Sequence, residues 1–433
     1  MVEIIIVFIV VAIVFASSGA KSKKWQAAGA QTGLRYSSGL FERDNLSGTL
    51  EGFDVRVFKT NKGHNDIQLV AEVRGVDPGF SLTAERGLAS LISGDIETGD
   101  KSFDSALRIT GDAEIALAVL SHRARGAAKA LIQREGYVDR RRIRVPLDSL
   151  GQAQSRLESM LALAKLLSRP SSDDIPKLLA NQALRDRSSA VRLRAFRQLL
   201  QSQHFRPSEL FELAEELLGT RDPELGYEAS RVLLSRPERH EGALKTMGKL
   251  ASAQHIASEI RIAAVERLAE SKYRSEAVPS LLKILGRPND HSYVRIAALE
   301  GLIKAGEKDE LLAFSPVNAH EAQQLADALG RFDAAQPRLL ELLGHSSGRV
   351  RAAAATSLGE VGDIEAMAPL HEVAEGGFLK AGEARAASAA MEKIKARTGT
   401  SQRGEISMVS LSPLEGAVSQ SDEEEGGEVS LTP

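Results

Sequence analysis

Alternating hydrophobic and polar residues mark the segment from Trp25 to about Pro146. A period of two residues is typical of short strands with one buried face. The strands predicted in this way cover Leu50 to Phe58, Ile67 to Val73, Phe80 to Ala84, Phe103 to Ile109 and Arg140 to Val145. From Asp112 to about Glu135 apolar residues recur at helical spacing, which predicts one helix. We therefore expect residues 25–146 to form a small α+β domain in which a helix packs on an antiparallel sheet.

A different pattern repeats about every 34 residues beyond Gln152. In this pattern an aliphatic residue precedes an arginine, alanine follows the arginine after three residues, and leucine follows it after seven. Four clear copies begin at Val191-Arg192, Ile260-Arg261, Val294-Arg295 and Val350-Arg351. Weaker copies have their small residue at Ala162, Ala229 and Ala387, and a degenerate copy lies near Leu325. A period of this length predicts stacked structural repeats.

Each repeat also has a first helix, which begins with proline in several copies. Pro176 and Pro279 each stand nineteen residues before the alanine of their repeat. Proline is tolerated in the first helical turn, since the N–H that it lacks has no helical partner there. The predicted unit is therefore a helix, a turn and a second helix. Ala264 and Ala298 are predicted as buried contacts that let the two helices approach closely.

A helix with the pattern Pro-x-Leu-Leu, followed by a helix with the arginine pattern above, resembles the HEAT repeat. The resemblance is closest to the short form of bacterial and phycobilisome-lyase-type repeat proteins, and it covers roughly Gln152 to Thr398. It implies an α-solenoid that serves as a protein-binding surface. The predicted fold class is mainly α: a HEAT-like α-solenoid of about seven to eight helix pairs over residues 152–398, preceded by the small α+β domain and one N-terminal transmembrane helix.

The N-terminus predicts that transmembrane helix. Residues 4–20 carry no charge, and the run is followed by Lys21, Lys23 and Lys24. Its length is at the short end for spanning a bilayer. Positive charge after the run favours a retained anchor over a cleaved signal peptide or a buried helix. The sequence thus predicts an anchor over residues 1–20, with the N-terminus outside and the remaining domains in the cytoplasm, in a bacterial inner membrane. A weaker resemblance, which includes Gly99-Asp100 and Phe103-Asp104, is to uncharacterised bacterial membrane-anchored HEAT-repeat proteins.

Composition removes several kinds of chemistry. The chain has no cysteine, which excludes disulfides, thiolate nucleophiles and cysteine-bound metal. Its net charge of −3 does not suggest a protein built to neutralise a nucleic-acid backbone. Acidic residues are concentrated at the C-terminus, where Asp422 to Glu425 lie between copies of a Gly-x-aliphatic-Ser motif. Residues 399–433 are predicted to be a disordered acidic tail, with short motifs for a partner or for the chain's own basic patches as the alternative.

Three His-Glu pairs, at His240, His320 and His371, are the candidate metal ligands. Deoxyhypusine hydroxylase, a HEAT-repeat enzyme, binds two irons through such pairs. Here the pairs are separated by 80 and 51 residues, which are not multiples of the repeat. We therefore predict surface polar groups rather than a metal site, and no catalytic, cofactor or metal residues.

Two groups of arginines remain as candidate binding residues. Arg140, Arg141, Arg142 and Arg144, with Arg123, Arg125 and Arg134 before them, form the densest basic cluster. It is interpreted as charge that protects a strand edge, with membrane-proximal lipid contact and nucleic acid as alternatives. Arg192, Arg261, Arg295 and Arg351 occupy one equivalent position in each repeat and predict a ladder. Its arginines are expected to pair with carboxylates or carbonyls of adjacent units, and the alternative is recognition of an acidic partner or of the Asp422 to Glu425 tail.

These features predict a non-enzymatic, membrane-anchored scaffold that binds a protein partner of unknown identity through its solenoid, with no cofactor and no nucleic acid. Two alternatives stay open. One is a HEAT-repeat enzyme or cofactor-handling chaperone of the lyase or hydroxylase kind. The other is a secreted or periplasmic binding protein.

Overall fold

The computed structural model describes residues 21–38, 44–61, 67–84, 95–132, 135–203, 205–270, 272–375 and 381–399. Its first part contains an antiparallel sheet of eight strands in the order β1-β2-β3-β4-β8-β7-β5-β6. The strands are β1 (Arg35–Ser37), β2 (Asn45–Leu50), β3 (Phe53–Asn61), β4 (Ile67–Arg74), β5 (Phe80–Ala84), β6 (Leu107–Gly111), β7 (Tyr137–Val138) and β8 (Arg142–Leu147). β8 returns from the far part of the domain to pair with β4, and this pairing places Glu72 opposite Arg144.

Helices cover one face of this sheet. They are α1 (residues 21–32), α2 (Lys101–Asp104), α3 (Ala113–Val119), α4 (His122–Ile132) and α5 (Ala153–Leu166). Val55, Val73 and Ile143 alternate with polar neighbours along their strands and point into a single core with α4 and α5. The helix predicted from Asp112 to Glu135 is two helices, because the chain leaves helical geometry at Leu120.

The rest of the described chain consists of paired helices. They are α6 (Ile175–Arg185), α7 (Ser189–Gln201), α8 (Pro207–Leu217), α9 (Pro223–Leu233), α10 (His240–Ser252), α11 (Ser258–Glu270), α12 (Arg274–Leu285), α13 (Ser292–Ala305), α14 (Lys308–Ala313), α15 (Ala319–Leu329), α16 (Gln336–Leu343), α17 (Gly348–Val361), α18 (Met367–Ala374) and α19 (Ala381–Thr398). The chain divides into two compact units, Met1–Glu307 and Lys308–Pro433. Within each unit the second helices of consecutive pairs pack on one another, as α11 does on α13 and α17 does on α19.

The alanines of the repeat pattern lie where helices meet. Ala195, Ala264, Ala298 and Ala354 are at most 1% exposed. Ala162 is the exception, since it is exposed and Ala164 is buried in its place. The reason is that α5 packs on β4 and β8 in the core of the sheet instead of pairing with a repeat helix. The degenerate repeat near Leu325 contains α14, a first helix of only six residues, which explains its short spacing.

The predictions of a transmembrane helix and of a single-pass membrane localisation are contradicted by the structure. In the part of the chain that the structure describes, no helix combines the length and the apolar character that a membrane span requires. Trp25, which follows Lys24 directly, is 2% exposed in the core of the sheet domain and stacks on Tyr36. The proposed anchor, residues 1–20, and residues 400–433 of the predicted tail lie outside the described residues.

Candidate functional site

The four ladder arginines lie in the second helices and donate hydrogen bonds to carbonyl oxygens where the first helix of the same pair ends. Arg192 donates from Nη1 to the Asp186 carbonyl oxygen over 2.8 Å, and Arg261 donates from Nε to that of Ala251 over 2.9 Å. Arg295 and Arg351 repeat the arrangement, donating to Leu285 and His345 over 2.5 and 2.6 Å. The last carbonyls of a helix have no intrahelical donor, so each arginine satisfies a group that the fold leaves open.

Three of these arginines also reach a carboxylate at the start of a later second helix. The strongest pair is Arg261 with Asp290, in which Nη1 and Nη2 donate to the two carboxylate oxygens over 2.7 and 2.6 Å. Arg192 lies 3.5 Å from Asp222, which caps α9, and Arg351 lies 2.7 Å from Glu383 in the first turn of α19. Negative charge is favourable at a helix N-terminus. The ladder therefore joins consecutive helix pairs.

Burial and pairing with Arg261 act on the pKa of Asp290 in opposite directions. Burial by itself would raise the pKa of Asp290, but the hydrogen bonds and charge of Arg261 hold that pKa below its ordinary value. The Asp290 side chain is 1% exposed and that of Arg261 is 3% exposed. The pair is therefore a buried, ionised element of the repeat frame.

A fifth arginine has the same bonding, although the sequence pattern assigned it to the basic cluster and not to the ladder. Arg125 in α4 donates to the Leu120 carbonyl oxygen over 2.8 Å and to both carboxylate oxygens of Asp186, just before α7, over 3.1 and 3.0 Å. It also pairs with Asp100 at 3.0 Å. The signal was present, because Ala128 and Ile132 follow it at the spacing of the repeat pattern. Helices α3 and α4 thus carry a further rung inside the sheet domain.

Asp100 and Asp104 both stabilise the turn before α2, but their pKa values shift in opposite directions. Burial would raise the pKa of Asp100, but the hydrogen bond from Arg125 lowers it below its ordinary value. Burial raises the pKa of Asp104, despite hydrogen bonds that it accepts from Thr98 and Gly99. Both carboxylates make structural bonds of the turn.

The arginines that were predicted to form one basic cluster do not all lie on one surface. Arg142 and Arg144 lie on β8, on the face of the sheet opposite the core, and Arg140 and Arg141 are exposed in the preceding turn. Arg123 is exposed on α4, and Arg125 is buried as described above. Arg134 lies outside the described residues. Only the four arginines at 140, 141, 142 and 144 therefore share one surface.

Glu72 of β4 lies beneath the arginines of that surface. It is fully buried, and its carboxylate lies 2.5 Å from Arg74 Nε, 3.3 Å from Arg142 Nη1 and 3.8 Å from Arg144 Nε. Beside this group lies a concavity of about 990 Å³, whose lining includes Arg74, Arg140, Arg141, Arg142, Ser81 and Asp139. Glu72 was not predictable from sequence, since its contact with β8 spans about seventy residues of chain.

The three histidines of the His-Glu pairs have separate environments. His240 stacks on Tyr273 with ring centroids 3.8 Å apart, and its Nε2 lies 3.1 Å from Glu276. His320 lies in the first turn of α15, and His371 lies 3.6 Å from Glu375. Within the described residues no three His, Cys, Asp or Glu side chains are placed to hold a metal ion.

Comparison with known proteins supports the repeat assignment. The family model for HEAT repeats matches residues 312–389. No curated protein matches the chain. One similar solved structure is the crystal structure of an engineered protein, at 17% identity, 65% coverage of this chain, 68% coverage of that chain and a TM-score of 0.22. The family match places HEAT repeats in residues 312–389, and the paired helices of the described chain support a HEAT-like repeat fold.

Proposed function

We propose that this protein is a non-enzymatic scaffold that holds a protein partner on its helical repeats. HEAT-like repeats are in general protein-interaction scaffolds, because stacked helix pairs present an extended surface. For this chain we propose in particular that a protein partner binds and that no reaction is catalysed.

One observation supports the proposal: the repeats keep the same internal arginine contacts, while the residues at equivalent exposed positions differ. The ladder arginine is bonded internally in every clear repeat, as shown above. Five residues after it, an exposed side chain follows in all four copies: Arg197, Glu266, Glu300 and Thr356. Nine residues after it, the exposed side chains are Gln201, Glu270, Lys304 and Glu360. Equivalent positions that keep their exposure but change their charge give each repeat its own recognition chemistry on a shared backbone.

A charge-reversal pair on α11 tests the proposal. The full chain, tagged and expressed in its source cells, is purified with its partners, which are quantified by mass spectrometry. Glu266→Lys with Glu270→Lys should remove a partner that the unaltered chain retains. Lys245→Glu with Lys249→Glu is the matched control, because both lysines are exposed on the paired first helix α10. Equal retention of every partner by the two variants would contradict the use of the second-helix face.

The proposed absence of catalysis is tested by a separate measurement. Metal analysis and absorption spectra of the purified full chain should show no stoichiometric metal or chromophore. A bound metal or chromophore would instead support the hydroxylase-like or lyase-like alternative.

A further inference from the structure

The face of the sheet opposite the core carries a row of polar side chains that the strand register brings into line. Side chains alternate between the two faces of a strand, so directly paired residues share a face. The pairings place six residues in one row across β3, β4, β8, β7, β5 and β6: Arg56, Glu72, Arg144, Tyr137, Thr83 and Arg108. Five steps between neighbouring strands make this row about 24 Å long. A second row beside it contains Asp54, Arg74 and Arg142.

Positive charge exceeds negative charge on this face and remains accessible. Arg74, Arg142 and Arg144 share the buried carboxylate of Glu72, and Arg142 also pairs with Asp139 over 2.9 Å, yet the three arginine side chains are 42%, 36% and 24% exposed. Arg56 is exposed and has no ion pair within the described structure. Arg140 and Arg141 add charge at the rim of the concavity. Internal pairing therefore leaves several guanidinium groups able to bind a second set of carboxylates.

The internal contact shows which ligand chemistry the surface accepts. Glu72 is a carboxylate bound by three guanidinium groups, and arginine forks match carboxylates through paired hydrogen bonds. The two aromatic rings on this face are covered by cations. Arg144 lies 5.1 Å from the Phe58 ring centroid, and Arg142 lies 5.9 Å from that of Tyr137. Stacking of nucleic-acid bases requires accessible aromatic faces, so the arrangement favours carboxylate ligands over bases.

We propose that this arginine face, defined by Arg56, Arg74, Arg142, Arg144 and the rim residues Arg140 and Arg141, is a docking surface for an acidic peptide segment of a partner protein. The segment lies along the row and places its carboxylates against the partly exposed guanidinium groups. About eight extended residues span the row. This surface is separate from the repeat face proposed above, and its binding does not depend on that proposal.

Fluorescence anisotropy with a labelled octaglutamate peptide and the full chain tests the proposal. The peptide should bind at about 50 mM salt and weaken at about 300 mM, because exposed charges are screened. Arg56→Glu combined with Arg141→Glu should weaken binding at least about tenfold, since both changes place like charge against the peptide. Arg123→Glu is the matched control: it is an exposed arginine of α4, on the helix side of the sheet, and should leave the affinity within about twofold.

Three results would overturn the proposal: no octaglutamate binding at low salt, equal loss in the control variant, or tighter binding of a single-stranded oligonucleotide through the same arginines. Glu72→Gln provides a second readout, because it removes the internal carboxylate from Arg74, Arg142 and Arg144. Octaglutamate should then raise the melting temperature of this variant more than that of the unaltered chain. An equal or smaller rise would also count against the proposal.

Discussion

A buried ion pair stabilises a protein only when both charges keep their partner, and Arg261 with Asp290 is such a pair. Arg261→Gln would leave the Asp290 carboxylate buried without its guanidinium. We expect the free energy of unfolding to fall by about 3–5 kcal/mol, measured by denaturant titration. Arg267→Gln on the same helix breaks only a partly exposed contact with Glu270 and should cost at most about 1 kcal/mol. Equal losses would mean that the ladder bond adds nothing to stability.

The same pair predicts a pH dependence. The pKa of Asp290 is lowered in the folded chain, so its contribution is present above the unfolded pKa, about 3.9, and is lost as the pH falls through the folded value. The difference in unfolding free energy between the unaltered chain and Arg261→Gln with Asp290→Asn should therefore be constant near neutrality and shrink below about pH 4. Asp104 has a raised pKa and should act with the opposite sign, favouring the folded state as it becomes protonated. A difference that grows in acid would contradict the assignment for Asp290.

At the scale of single elements, the turn before α2 packs directly on the start of α7. Gly99 has a φ of +91°, and a Cβ atom there would lie 2.8 Å from the backbone carbonyl carbon of Ala190. Gly52 has a similar φ of +88°, but a Cβ atom there would have no neighbour within 4 Å. Gly52→Ala should therefore cost about 1–2 kcal/mol of backbone strain, and Gly99→Ala should cost clearly more. Thermal unfolding of the two variants separates strain from steric overlap, and equal shifts would show that the turn does not press on α7.

The contact between second helices gives the next prediction. Ala298 in α13 is fully buried, and α13 packs on α11 and α12. Ala298→Leu adds three carbon atoms where the helices approach closely, which typically costs about 1–3 kcal/mol. Lys304→Ala, at an exposed position of the same helix, should change the free energy of unfolding by less than about 0.5 kcal/mol. Chemical denaturation is the measurement, and similar values for both variants would mean that the helix faces are misassigned.

Short-range features of these elements were predictable from sequence, and long-range partners were not. Buried alanines such as Ala264 follow from spacing along one helix, because that spacing decides which side faces a neighbour. The partners of Arg125 and Glu72 lie about sixty and seventy residues away and depend on how helices stack and how strands pair. Pro146 shows the same limit: the strand predicted over Arg140 to Val145 stops before this proline, yet β8 continues to Leu147, since β7 does not pair with β8 at Pro146.

At the scale of the whole molecule, the sheet and the first helix pairs belong to one compact unit. Gln182 of α6 donates to the carbonyl oxygens of Leu117 and Ala118 at the end of α3, over 2.6 and 2.8 Å. Ser202 donates to Glu114 over 2.6 Å. With the Arg125–Asp186 pair, these bonds attach the sheet domain to the repeats through several buried or partly buried polar contacts. We infer that the sheet domain ends the array as a cap rather than as a freely tethered module.

Loss of the Arg125 side chain should therefore affect both the sheet domain and the repeats. Arg125→Gln leaves the carboxylate of Asp186 buried and removes the bond to Asp100, so α4 and α7 both lose a partner. Hydrogen exchange followed by mass spectrometry should show faster exchange in α4, in the turn before α2 and at the start of α7 together, since these segments share one set of bonds. Arg123→Gln, two residues away on the same helix and exposed, should leave all three segments unchanged. Faster exchange confined to α4 would show that the sheet and the repeats are held together without the arginine, and that the cap depends on Gln182 and Ser202 instead.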